Sequence, residues 1–135
     1  MNQNLQSTQS SVPVAYGTWS TIERGGGSIS ISSMGACFAM VNGVFYIFDN
    51  SKGDPPFVNG MLTREPMRMI TPDNISGFEC RKLNEKIAKF RFYCMWQGGN
   101  YYYQVKFRYK GKFGLAKRNP YQAEAVAAIV SAFQS

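Results

Sequence analysis

Residues 87–109 read IAKFRFYCMWQGGNYYYQVKFRY, and the alternation in this stretch decides the fold. Ala88, Phe90, Phe92, Cys94 and Trp96 fall on one side of an extended chain, with Lys89, Arg91, Tyr93, Met95 and Gln97 on the other. A period of two is the signature of a β-strand, whose successive side chains point to opposite faces. Gly98-Gly99 predicts a two-residue hairpin turn, because glycine takes positive φ without a Cβ clash. The returning strand then runs from Tyr101 to Lys110. It sets Trp96 against Tyr101, Cys94 against Tyr103, Phe92 against Val105, Phe90 against Phe107 and Ala88 against Tyr109. The same register sets Arg91 opposite Lys106, Lys89 opposite Arg108, Tyr93 opposite Gln104 and Met95 opposite Tyr102. One face of the hairpin is core, and the other gathers cations.

Working outward, a loop at Lys110-Gly111-Lys112 predicts a third strand that adds Phe113 and Leu115 to the inner face. Asn119-Pro120 predicts an N-cap and first helical residue, opening a terminal helix whose Val126, Ile129, Val130 and Phe133 close over the sheet. Upstream, Val14 to Ile22, Ser28 to Ser32 and Ile75 to Lys82 read as strands. Asn42-Gly43, between Ala36–Val41 and Val44–Phe48, is a strong hairpin signal. Both faces of this second hairpin are apolar, so a second copy of the chain is expected to cover one of them. Residues 49–74 are rich in Pro and Gly and read as a long connection with a short helical piece near Met61 to Met69. The fold class is α+β, mainly β: curved antiparallel sheets with a C-terminal helix packed on them. Residues 1–12 are polar and predict a flexible N-terminal arm, leaving 13–135 as a single β-rich domain.

The chain has 135 residues and a formal net charge of +7, placed unevenly. Residues 1–75 hold four basic and five acidic side chains, whereas residues 76–135 hold eleven and three. Between Lys86 and Arg118 there are nine Lys or Arg, ten aromatic residues and no Asp or Glu. A sheet face with cations and no countercharge repels itself, and a polyanion relieves that repulsion.

Catalytic chemistry finds little support. The absence of His removes the usual general base, the Ser-His and Cys-His pairs and most zinc sites. The acidic residues fall in no recognisable catalytic motif, Gly25-Gly26-Gly27 lacks the GK[ST] of a P-loop, and Asp49 and Asp54 lack EF-hand spacing. The expectation is a non-enzyme with no metal, cofactor or small-molecule substrate. Cys37, Cys80 and Cys94 are odd in number without CxxC spacing, and no signal sequence or long apolar span occurs. These predict a reduced, cytoplasmic protein without a membrane segment.

The segment Tyr109-Lys110-Gly111-Lys112-Phe113-Gly114-Leu115 resembles the YKGKAAL segment of the Whirly family of single-stranded nucleic-acid-binding proteins. It departs from that segment at Phe113 and Gly114, and it lies near the C-terminus, where the family's lies early. The strand, strand, strand, helix order is also similar to the positive-cofactor fold, whose curved sheet grips single strands. The resemblance implies a Whirly-like fold, homo-oligomers, single-stranded DNA or RNA as partner, and nucleic-acid roles for Lys110 and Lys112.

Residue types and resemblance together predict weakly sequence-selective binding of single-stranded nucleic acid. Lys89, Arg91, Lys106, Arg108, Lys110 and Lys112 would track phosphates, Tyr93 and Tyr102 would offer stacking rings, and Lys117 and Arg118 would lie at the rim. Phe90, Phe92, Trp96, Tyr101, Tyr103, Phe107 and Tyr109 belong to the apolar side and are read as core. The alternative is a protein-interaction module, pleckstrin-homology-like or a phage-type inhibitor, that sets the basic face on an acidic protein surface. An anionic lipid surface is a third reading, which no basic amphipathic helix supports.

Overall fold

The alternating stretch forms a long hairpin of β8 (Ile87–Trp96) and β9 (Gly99–Arg108) in a computed structural model that describes residues 12–23, 34–49 and 55–134. The inner and outer assignments hold within the two strands, but the turn is Gln97-Gly98, at φ 48° and 85°, so Gln97 belongs to the turn and not to a strand face. Gly99 opens the returning strand opposite Trp96, where a Cβ would lie 2.9 Å from the Tyr101 ring and 3.0 Å from the Glu23 carboxylate. The second glycine therefore serves close packing rather than the turn. The register is two residues from the expected one: Phe92 faces Tyr103, Phe90 faces Val105, Lys89 faces Lys106 and Arg91 faces Gln104. A slip of two leaves every side chain on its own face, so alternation cannot distinguish the two pairings.

Around this hairpin stand β1 (Ala15–Glu23), β2 (Met34–Val41), β3 (Val44–Asp49), β4 (Phe57–Val58), β5 (Met61–Leu62), β6 (Arg68–Ile70) and β7 (Ile75–Leu83). Seven strands make one antiparallel sheet in the order β6-β3-β2-β1-β9-β8-β7, curled into a half-barrel, while β4 and β5 pair separately. Two helical segments follow, α1 (Gly114–Lys117) and α2 (Gln122–Gln134). The fold is mainly β, with α2 packed on β1, β2 and β9.

The main core lies between α2 and the inner face of the sheet. Ala88, Phe90, Phe92, Val105 and Phe107 are buried there beneath Val126, Ile129, Val130 and Phe133. Phe133 is the hub, its ring 5.0 Å from Phe45, 5.0 Å from Phe90 and 5.2 Å from Phe92 between centroids. Close-packed rings of this kind combine large apolar burial with edge and offset-stacked contacts. Before α2 the Asn119 side-chain oxygen accepts from the Tyr121 N–H at 3.2 Å, but Pro120 and Tyr121 form a turn and the regular helix begins at Gln122, two residues after the expected start.

The Asn42-Gly43 hairpin forms as β2 and β3, and both of its apolar faces are covered within the chain. Phe38, Phe45 and Ile47 enter the main core. Cys37, Ala39 and Phe48 form a second cluster with Phe57, against which Val12, Val14, Tyr16 and Tyr46 pack. The burial for which a second copy was expected is thus supplied by β4 and by the residues just before β1. The Ser28–Ser32 strand and all of the N-terminal arm except Val12 lie outside the described residues.

Two expectations are corrected. Met61 to Met69 contains no helix: Asn59 and Gly60, both at positive φ, close the β4–β5 hairpin, and β6 follows Pro66. Nor does a third strand follow β9. That strand is flanked by β8 on one side and β1 on the other, so it has no free edge to offer. The chain instead turns into α1 and leaves Phe113 in solvent.

Candidate nucleic-acid interface

Cross-strand pairing arranges the outer face of β7, β8, β9 and β1 into rows. One row is Lys82, Lys89, Lys106 and Thr18; the next is Glu79, Arg91, Gln104 and Ser20; the third is Ser76, Tyr93, Tyr102 and Ile22. Neighbouring strands lie about 4.8 Å apart, so the three lysines cover about 10 Å perpendicular to the strands. Like charges set directly opposite one another destabilise a sheet. None of the three ammonium groups has an ion-pair partner among the described residues.

Arg91 differs. Its guanidinium pairs with the Glu79 carboxylate at 2.6 Å, donates to the Tyr102 hydroxyl at 3.1 Å and lies 5.9 Å from the centre of the Tyr102 ring. Hydrogen bonds to Tyr102 and Glu79 hold its pKa above the usual arginine value, and its side chain is 33 % exposed. Among the described residues, the outer face of these four strands therefore carries one countercharge, contributed by β7 from outside the acid-free stretch. Arg91 is a structural cation first.

Tyr93 and Tyr102 are half-buried and packed together, with ring centroids 5.0 Å apart. The ring of Tyr93 also lies against the backbone at Gly77. Both rings are thus engaged by protein on at least one side. Arg108 is half-buried, whereas Lys110, Lys112, Lys117 and Arg118 are exposed.

The rows lead into two adjoining cavities. A shallow one of about 180 Å³ is lined by Thr18, Ser20, Lys89, Gln104 and Lys106 on the outer face. A larger one of about 320 Å³ lies between the sheet and the 111–116 loop, and its lining includes Thr18, Lys106, Arg108, Lys112 and Phe113. Thr18 and Lys106 border both. At Gly111 a Cβ would run into the backbone of Ala116 and Lys117, so only glycine lets the loop fold back this closely. Lys89, Lys106, Arg108 and Lys112 are brought together along this path. Lys110, Lys117 and Arg118 line neither cavity.

Sequence reasoning missed two residues here. Lys82 completes the lysine row, but register shifts on either side of Cys80 hide its parity. Alternation places Phe113 in the core, whereas it is 81 % exposed at the cavity rim. Among the described residues, no group of three or more Cys, Asp or Glu could hold a metal ion. No helix among them is long and apolar enough to cross a membrane. No protein-family model matches this chain, and no curated protein matches it.

Proposed function

We propose that this chain binds single-stranded DNA or RNA without catalysing a reaction, with weak sequence preference, along the path from Lys82 through Lys106 to Lys112. The observation that carries the reading is the row of Lys82, Lys89 and Lys106, three unpaired cations on neighbouring strands. A phosphate backbone laid across the strands would neutralise them in turn and release its condensed counterions. The likeness of residues 109–115 to the Whirly segment supports the same class of partner. An exposed Cys80 thiol suits a reducing, cytoplasmic setting. Homo-oligomerisation belongs to the same proposal, with Val58, Met61 and Leu62 offering exposed apolar side chains. A monomer mass by light scattering would remove that part.

Fluorescence anisotropy with labelled single-stranded DNA, single-stranded RNA and duplex of equal length, each at two salt concentrations, tests the reading. Five cations on the path predict that affinity for a single strand falls with roughly the 3.5 power of salt. Lys89→Glu with Lys106→Glu is expected to abolish binding while circular dichroism stays unchanged, since neither residue holds a partner that the fold needs. Salt-independent binding, or undiminished binding by the folded double variant, would refute the site. No binding of any oligonucleotide at low salt would turn attention to an acidic protein partner.

A further inference from the structure

The cleft under the 111–116 loop has a composition that phosphate tracking alone does not require. We infer that it holds one nucleobase of the bound strand, with Phe113 as the stacking face and Lys106, Arg108 and Lys112 around the adjoining phosphates. The inference rests on the single-strand reading and adds to it a base-binding position.

Phe113 is 81 % exposed, the most solvent-accessible of the large apolar side chains among the described residues. A phenyl ring left in water loses the gain that burial would bring, unless a ligand covers it. Its neighbours in the cleft are basic, so a purely apolar occupant would leave Lys106, Arg108 and Lys112 without a counterion. A nucleotide answers both demands, since its base has an apolar π-face and its phosphate an anionic edge. The volume of about 320 Å³ lies at the lower end of small-ligand sites, a size for one nucleotide rather than a helix. The loop that carries Phe113 is tied down: Gly111 packs against Ala116, and the Lys117 N–H donates to the Phe113 carbonyl at 3.2 Å. The Phe113 ring is therefore presented from a braced backbone. The cleft also opens at Thr18 and Lys106 into the shallower groove, so a strand leaving it next meets Lys89.

The test compares an oligothymidylate with an abasic strand of the same length and phosphate number, each titrated against wild type, Phe113→Ala, Phe113→Trp and Lys112→Ala. The expected result is that Phe113→Ala weakens oligothymidylate binding about tenfold and leaves abasic binding unchanged. Phe113→Trp restores it, with quenching of the added indole on binding. Lys112→Ala should weaken both strands alike and lower the salt exponent by about 0.7. An oligothymidylate affinity of Phe113→Ala equal to wild type would overturn the inference, and so would equal losses on both strands, which would mark Phe113 as a loop residue. Failure of wild type to bind either strand is a different result: it removes the single-strand reading and the base position with it.

Discussion

Gln122 uses all of its hydrogen-bonding capacity inside the protein. Buried at 2 % exposure, it accepts from the Tyr16 N–H at 2.9 Å and from the Asn119 amide at 3.0 Å, and donates to the carbonyls of Tyr16 at 2.7 Å and Arg108 at 2.8 Å. One side chain thus joins the start of α2 to β1 and to the end of β9, directly behind the proposed path. Gln122→Leu would leave two carbonyls and one N–H unpaired, and the expected loss is about 3–5 kcal/mol in urea unfolding. A change below about 1 kcal/mol would mean that water or a local shift replaces these bonds. Nothing in the sequence marks this residue, because a glutamine in a first helical turn reads as solvent-facing unless the strands beneath it are known. The cysteines make a second test at this scale. Burial pushes the Cys37 thiol up to about 11, and it also raises that of Cys94, whereas Cys80 is exposed. At pH 8 a thiol reagent should modify Cys80 rapidly and reach the other two only on unfolding. Rapid native-state labelling of all three would contradict the packing around β2 and β8.

Among the elements, α2 and the β8–β9 hairpin were the most legible. The Val126, Ile129, Val130 and Phe133 stripe and the inner face of the hairpin lie where their periodicities put them, since each pattern is contained within one segment. Phe133 sits in the last turn of α2 but touches rings from β3 and β8. Phe133→Ala should therefore cost about 3–5 kcal/mol, far more than fraying of a helix end. A loss of only a few tenths in chemical denaturation would show that α2 does not close the half-barrel. Between the two hairpins β7 forms where a strand was expected, but the short strands β4, β5 and β6 were least legible. A three-residue strand such as β6 has too few positions to display a period. Register was hidden for the reason that governs every strand: a shift by two preserves the pattern.

Across the whole molecule, the curl of the sheet carries its edge over its own inner face. Arg68, on the edge strand β6, donates to the Tyr103 hydroxyl at 2.9 Å. Its guanidinium carbon stands 5.5 Å from the ring centre of Trp19, 5.4 Å from that of Trp96 and 5.3 Å from that of Tyr101. These rings belong to β1, β8 and β9, so one arginine braces both sides of the curl. Arg68→Met is expected to lower stability by about 2 kcal/mol and to shift tryptophan emission, with Arg68→Lys recovering little because an ammonium lacks the planar fork. Unchanged emission and stability would place the bracing elsewhere. The opposite edge, β7, carries Glu79, Arg81 and Lys82 and two register shifts, features that guard an open strand against pairing with another chain. The sequence by itself determined which face each strand residue of the long hairpin occupies, that a terminal helix closes over the sheet with Val126, Ile129, Val130 and Phe133 inward, and that the positive charge resides in the second half. Those properties follow from periodicity, turn chemistry and composition, which act over a few residues. The tertiary structure alone decided the hairpin register, the pairing of Arg91 with Glu79, the entry of Lys82 into the lysine row, the exposure of Phe113 and the burial of Gln122. Each of these depends on which distant segment lies alongside, and no local pattern encodes that.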